Sequence, residues 1–247
     1  MSDAFNSTKP RGEPRWVTHL AAGRPDVVLM GPFMVYLLLL GLSDLFPEAY
    51  LAVPIAIRGA GALVVVWWLR HYFPPVGKPH VLVAAVVGVL VAAGWVAGQH
   101  LFNALVEGAG LTGQYYAFRL PAARDPRAGI GALSWAAQAV LRIACATITV
   151  PIVEEFFWRA YLLRAFIDWH RFERVPLGTF TWVSFLGTAL LSVAEHPNYW
   201  AVSILCWFAY NGLMYWKKSL LCLMIAHGVT NLALYIYVIW AGDWMFW

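Results

Sequence analysis

Two adjacent glutamates, Glu154 and Glu155, lie inside the apolar run TITVPIVEEFFWRAYLLRAF, and Arg159 follows four residues after Glu155. Acids at membrane depth are costly and usually face the interior of a helix bundle, where they take part in function. Glu155 and Arg159 share one helical face, with the acid first, which favours an ion pair. Glu154 is rotated by about 100° from Glu155 and cannot share that arginine equally. The pattern predicts one paired acid and one unpaired acid suited to a general base; the alternative is a single packing network.

Two other apolar runs carry histidines. His196 follows Glu195 at the end of one run, just before Pro197, while His227 and Asn231 are four residues apart in MIAHGVTNLALY. A spacing of four places His227 and Asn231 on one helical face. Both side chains can donate hydrogen bonds, as the stabilisation of an oxyanion requires. Two alternatives stay open: His196 as an interfacial or capping residue, and the His227/Asn231 pair as helix–helix hydrogen bonds.

The composition indicates the medium in which these residues work. The chain has 247 residues, of which 61% are hydrophobic and 12% charged, and its mean hydropathy is +0.65. Such a chain is an integral membrane protein with no room for a separate soluble domain. The net charge of +4 reflects membrane topology, so no nucleic-acid partner is expected. The three cysteines lie within apolar runs without ligand spacing, which predicts neither a disulfide nor a metal site: Cys145, Cys206 and Cys222.

The apolar runs predict an all-α, polytopic transmembrane helix bundle of seven to eight spans. The candidate spans are 27–46, 51–73, 80–106, 133–166, 178–195, 199–216 and 219–241. The fourth run is too long for one simple crossing, which suggests a kink at Pro151, an interfacial extension or an extra short helix. We expect residues 1–26 to form a polar cytoplasmic segment and residues 27–247 a single transmembrane domain.

Basic residues between the spans predict the orientation, because cytoplasmic loops carry an excess of Lys and Arg. With a cytoplasmic N-terminus, eleven basic residues fall inside and three outside, the three being Arg119, Arg124 and Arg127. At about 1.5 Å per residue, His227 and Asn231 lie about 12 and 18 Å from the cytoplasmic end of their span, near the depth of Glu154. His196 falls nearer the outer side, unless its helix begins late, around Thr181.

These residues resemble the signature of the CPBP family, the intramembrane proteases related to type II CAAX prenyl endopeptidase (Rce1-like). The first family motif, EExxxR, is matched by Glu154, Glu155 and Arg159. The second motif is a histidine preceded four residues earlier by phenylalanine; His196 is in place, but Ser192 stands at the phenylalanine position.

The third motif, Hxxx(N/D), is matched by His227 and Asn231. The context of the first motif departs from the usual EExxFRG, since Trp158 stands where phenylalanine is common and Ala160 where glycine is common. The resemblance covers about residues 150–231 and assigns a CPBP/Rce1-like protease domain to the transmembrane part of the chain. A resemblance to the branch that accompanies exosortase sorting systems has no discrete motif behind it.

The resemblance implies a division of labour. Glu154 and His196 would activate the water that attacks the scissile peptide carbonyl. The oxyanion would be held by His227 and Asn231. Two supporting residues would fix the helix and the orientation of Glu154, namely Glu155 and Arg159.

The expected function is that of a cofactor-free intramembrane endopeptidase in a bacterial inner membrane, acting on a peptide or protein segment near the bilayer. One alternative is a zinc-dependent protease, because two histidines and a glutamate can bind zinc with an open fourth position, although no HExxH motif is present. The other is a non-catalytic membrane partner or chaperone on the same scaffold. All four catalytic positions are filled, which favours an enzyme.

Overall fold

The computed structural model describes residues 15–247, and over this range the chain is all-α, as predicted. The helices of this range are α1 (Arg15–Gly23), α2 (Pro25–Leu40), α3 (Ala52–Leu69), α4 (Val81–Gly108), α5 (Ala132–Ala165), α6 (Trp182–Leu191), α7 (Trp200–Lys217) and α8 (Leu220–Ala241). Short 3₁₀ turns extend or connect several of them. The first fourteen residues of the predicted polar segment 1–26 lie outside the described residues.

Five helices within residues 15–247 are long and apolar enough to cross a membrane: α2 with its 3₁₀ extension to Leu45, α3, α4, α5 and α8. The chain is therefore a multi-pass integral membrane protein. The other two predicted spans correspond to α6 and α7. Helix α6 is apolar but short, and α7 is less apolar because polar residues such as Ser203 and Asn211 interrupt it. Length and hydropathy thus support five spans, and the predicted seven to eight are not established.

Helix α1 forms within the segment that the sequence predicts as merely polar. Its apolar residues Val17 and Ala21 are buried against Val28 of α2 and Leu69 of α3. Trp16 on the opposite side of α1 is exposed and meets Trp68 edge-on, with ring centroids 5.5 Å apart. The helix therefore packs along the bundle at the end where α2 begins and α3 ends.

The long fourth run folds as one continuous helix, α5, of 34 residues. Two stretches of it are wound as π-helix, Cys145–Thr149 and Phe156–Leu162. Proline lacks an N–H group and clashes with the carbonyl group one turn earlier, so a widened turn just before Pro151 accommodates the ring. Of the three possibilities raised by the length of the run, the extra short helix is excluded, since no break in the helix separates Ala132 from Ala165.

Helix α8 lies in the middle of the bundle because two glycines let its backbone approach other helices closely. A Cβ atom on Gly88 of α4 would lie 2.5 Å from the carbonyl oxygen of Ala226. A Cβ atom on Gly228 of α8 itself would lie 2.6 Å from the carbonyl oxygen of Thr147, in the first π-helical stretch of α5. These contacts place His227 directly against the acidic part of α5.

Candidate active site

All four side chains predicted to be catalytic line one cavity of about 320 Å³ among α2, α3, α4, α5, α7 and α8, here called the central cavity. They come from three separate parts of the chain: Glu154 from α5, His196 from the turn before α7, and His227 and Asn231 from α8. Aromatic side chains form much of the remaining wall, among them Tyr36, Trp95, Tyr199, Trp207, Tyr210 and Trp247.

One face of α5 forms a long wall of the central cavity. Arg142, Ala146, Val150 and Glu154 follow one another at intervals of four residues, and all of them line it. At about 1.5 Å per residue, this stripe extends about 18 Å along the helix from Arg142 to Glu154. The cavity is therefore elongated along α5, with Glu154 at one end of this wall and Arg142 at the other.

Glu155 is fully buried and holds two partners. Its carboxylate lies 3.2 Å from Nη1 of Arg159, and both side chains have 0% exposure. The ion pair predicted from the spacing is confirmed. The same carboxylate lies 3.0 Å from Nδ1 of His227, a contact that the sequence did not predict. The guanidinium of Arg159 also faces the rings of Trp207 and Tyr210, at 5.1 and 5.5 Å from their centroids.

Glu154 differs from its neighbour in having no such partner. Its side chain is half-buried and faces the central cavity, and it makes no hydrogen bond or ion pair with any side chain of residues 16–247. Adjacent positions on a helix point in different directions, which explains how Glu155 can be locked in protein contacts while Glu154 reaches open space. An unengaged carboxylate beside a cavity large enough for water can accept a proton from that water.

His196 lines the central cavity, and the helix that precedes it, α6, begins late. Thr181 caps α6 through a capping box with Ser184, in which the Ser184 N–H donates to Thr181 Oγ1 at 3.1 Å. Helix α6 therefore begins at Trp182 rather than near 178, close to the late start that the sequence analysis named as the condition for His196 to reach the site. Its ring stands edge-on to Trp95 and Trp207, with centroids 5.3 and 5.8 Å away.

Two of the three positions that depart from the family motifs have contacts of their own. Ser192 donates to the carbonyl of Ala189 at 2.7 Å and lies 2.8 Å from the hydroxyl of Ser203, so it links α6 to α7. The indole N–H of Trp158 donates to the carboxylate of Glu195 at 3.0 Å. Phenylalanine lacks this N–H, and Trp158 therefore ties the turn that carries His196 to α5.

Asn231 is positioned by the irregular part of α5. Its side-chain amide donates to the carbonyl of Ala146 at 2.7 Å. In a π-helical turn that carbonyl would accept from the N–H five residues on, which is Pro151 and has none. The proline thus leaves a free acceptor, and Asn231 occupies it. A second amide hydrogen remains available toward the cavity.

Two functional candidates in the central cavity were missed by the sequence analysis. Arg58 of α3 and Arg142 of α5 both line the cavity, although each lies inside an apolar run. The rule that selected Glu154, a charged residue at membrane depth, applies equally to them. They were overlooked because neither belongs to a spaced pair.

The residues described do not suit the zinc alternative. Among residues 15–247, no three His, Cys, Asp or Glu side chains converge in a way that could hold a metal ion. In the central cavity, Nδ1 of His227 is already engaged with Glu155.

Comparisons with known proteins agree with the motifs. Residues 136–233 match the Rce1-like family, described as type II CAAX prenyl endopeptidase Rce1-like. The matched stretch runs from α5 into α8 and includes all six residues that the sequence singled out. No curated protein and no solved structure matches the chain.

Proposed function

We propose that the chain is an intramembrane endopeptidase that cleaves a peptide or protein segment near the bilayer, and the match of residues 136–233 to the Rce1-like family supports this proposal. One observation carries the proposal: an unpaired glutamate, two histidines and an asparagine from distant parts of the chain line a single cavity. Glu155 is paired with Arg159, whereas Glu154 has no partner among the residues described, and an unpaired acid at membrane depth indicates a functional site.

In the proposed reaction, Glu154 and His196 hold a water molecule against the scissile carbonyl carbon. Glu154 accepts a proton from this water as its oxygen bonds to the carbon, which places a negative charge on the former carbonyl oxygen. His227 and Asn231 donate hydrogen bonds to that oxygen. Transfer of the proton to the departing amine breaks the C–N bond and releases an acid and an amine.

The contact between Glu155 and His227 has a consequence for this scheme. If Nδ1–H donates to Glu155, the other ring nitrogen can donate to the oxyanion only when the ring carries both protons. In that role the Glu155 carboxylate balances the charge of His227, and Arg159 holds the carboxylate in place. Glu155 and Arg159 are then positioning residues, as the resemblance implies.

The same proposal includes the finer topology and location. We place α6 and α7 as two further crossings, which gives seven spans, with residues 1–26 in the cytoplasm and residues 27–247 as one transmembrane protease domain. The uneven distribution of basic residues, including Lys217 and Lys218 between α7 and α8, supports this orientation. A bacterial inner membrane is the proposed location. Nothing in the comparisons points to the exosortase-associated branch, and we do not assign the chain to it.

The test compares membrane proteomes of cells carrying wild-type protein, Glu154→Gln and, as a matched control, Glu107→Gln, which changes an exposed carboxylate at the end of α4. We expect at least one uncut membrane protein to accumulate with Glu154→Gln and not with Glu107→Gln. Cleavage of that protein by purified wild type should persist in the presence of a chelator. Identical proteomes for all three proteins would favour the non-catalytic partner, and loss of cleavage with chelator would favour the zinc enzyme.

A further inference from the structure

Two arginines in the central cavity have no acidic partner among the side chains that the structure describes, those of residues 16–247. Arg58 is only 9% exposed, and its Nε has no hydrogen-bond partner within this range. Its guanidinium lies 5.4 Å from the ring centroid of Tyr36, and neither Arg58 nor Arg142 forms an ion pair with these residues. A buried guanidinium without an anion is costly, so its presence beside a cavity calls for an explanation.

Arg142 is held in place without being neutralised. Its Nε donates to the hydroxyl of Tyr235 at 3.1 Å, and its guanidinium faces the ring of Trp247 at 5.1 Å. It also borders a neighbouring cavity of about 240 Å³ that contains two carboxylates, those of Glu48 and Asp125. Each of these acids is paired with another arginine, Glu48 with Arg124 at 3.0 Å and Asp125 with Arg127 at 2.7 Å.

The distance along α5 from Glu154 to the level of each arginine can be estimated from neighbouring residues. Tyr36, which Arg58 faces, has its hydroxyl 3.9 Å from Sγ of Cys145 on α5. Cys145 and Arg142 precede Glu154 by nine and twelve residues, or about 13 and 18 Å along a helix. An extended peptide covers about 3.3 Å per residue, so about four to five peptide residues would fit between the arginines and the acid.

We propose that Arg58 and Arg142 bind a carboxylate of the substrate that lies about four to five residues from the bond that is cut. This inference rests on the proposed peptidase function and adds to it the feature that selects the substrate. Guanidinium groups bind carboxylates through paired, charge-assisted hydrogen bonds, and the site supplies two of them. The carboxylate belongs either to the free C-terminus of the substrate or to an acidic side chain.

The experiment uses the full-length protein in phosphatidylcholine vesicles and a library of apolar peptides prepared in pairs. In the first kind of pair, one peptide ends in a free carboxylic acid and the other in an amide. In the second kind, one peptide has an internal Glu and the other a Gln at the same position. Cleavage is followed by mass spectrometry. We expect wild-type protein to cleave the acid member of at least one pair tenfold or more faster than its neutral partner. Arg58→Gln and Arg142→Gln should reduce this ratio to about 1–2, consistent with the loss of charge-assisted hydrogen bonds. Arg119→Gln, in an exposed loop, should leave it unchanged.

The experiment distinguishes a failure of the carboxylate-binding inference from a failure of the proposed peptidase function. The C-terminal pair and the internal pair identify the source of the carboxylate. Equal cleavage of acid and neutral members by wild-type protein would overturn the inference while leaving the peptidase function intact. If wild-type protein cleaves none of the peptides faster than Glu154→Gln protein does, the proposed peptidase function fails instead.

A binding measurement tests the inference without catalysis. Binding of an N-acetylated apolar pentapeptide, as free acid and as amide, is followed by the fluorescence of tryptophans that line the cavity, such as Trp95 and Trp247. Tighter binding of the acid that is lost in Arg142→Gln supports the inference; equal binding contradicts it. If Arg58→Gln does not fold, Arg58→Lys, which keeps the charge, should retain part of the preference. A preference for phosphatidylglycerol over either peptide would assign the arginines to a lipid and overturn the proposal.

Discussion

Nδ1 of His227 lies 3.0 Å from a carboxylate oxygen of Glu155, on a different helix and 72 positions away in the chain. The same carboxylate pairs with Arg159. Glu155 therefore connects α5 to α8 at the level of the proposed active site, and it does so from a fully buried position. Its neighbour Glu154 faces the cavity with no partner of its own among the residues described. Two consecutive acids thus have different surroundings because a helix turns by about 100° per residue.

Replacing Arg159 with alanine should lower the yield of folded protein more than it lowers the cleavage rate of the protein that does fold. The substitution leaves Glu155 buried without its cation, and breaking one side of a buried pair costs about 3–5 kcal/mol. The measurement is the amount of detergent-extracted protein that elutes as a single species, together with its thermal midpoint. Arg119→Ala, in an exposed loop, is the control. Normal yield with abolished cleavage would instead place Arg159 in the catalytic set.

Replacing Asn231 with alanine should lower kcat by about 100- to 1,000-fold, as expected for the loss of one oxyanion donor. KM should change little, because the hydrogen bond forms only as charge develops on the substrate oxygen. Asn198→Ala, which alters an exposed asparagine in the turn after His196, serves as the matched control. A raised KM with unchanged kcat would mean that Asn231 only binds substrate or tethers α5.

Gly228→Ala should disturb the site although glycine has no side chain to contribute. The added Cβ would lie 2.6 Å from the Thr147 carbonyl, whose position is set by the helix backbone. Overpacking of this kind costs about 1–3 kcal/mol and should push His227 away from Glu155. Both thermal stability and cleavage are expected to fall. Gly212→Ala in α7 is a matched control, since its Cβ would meet nothing within 4 Å; equal behaviour of the two variants would contradict the close contact.

Trp158→Phe introduces the residue that is common at this position in the CPBP motif, which this sequence resembles, and should nevertheless lower the stability of the protein. It keeps an aromatic ring but removes the N–H that donates to Glu195 at 3.0 Å. Leaving a carboxylate in a largely apolar site without this donor costs about 1–3 kcal/mol. Thermal unfolding of the purified variant measures the loss, and the double variant Trp158→Phe with Glu195→Gln should recover part of it. A Trp158→Phe protein as stable as wild type would show that this hydrogen bond contributes nothing.

Local spacing was sufficient to predict several features. The helices α2 to α8 coincide with the seven apolar runs to within a few residues, because long apolar runs bounded by polar residues predict helices. The Glu155–Arg159 pair also follows from spacing, since both residues lie on one helix and a separation of four fixes their relative direction. Helix α1 was not foreseen because its two buried residues, Val17 and Ala21, gain their contacts only from α2 and α3.

What depends on the packing of one helix against another required the tertiary structure. The sequence names His227 and Glu155 as separate candidates, but only the close approach of α8 to α5 at Gly228 brings them to 3.0 Å. Asn231 finds its partner because Pro151 frees a carbonyl group in a π-helical turn, a register that helical periodicity does not predict. Arg58 is a similar case: on its own helix it is an isolated charge, and only the fold shows that it lines the central cavity. The chain itself thus determined which residues are polar at membrane depth and which share a helical face, whereas the distances between faces of different helices were decided by backbone contacts that no local pattern encodes.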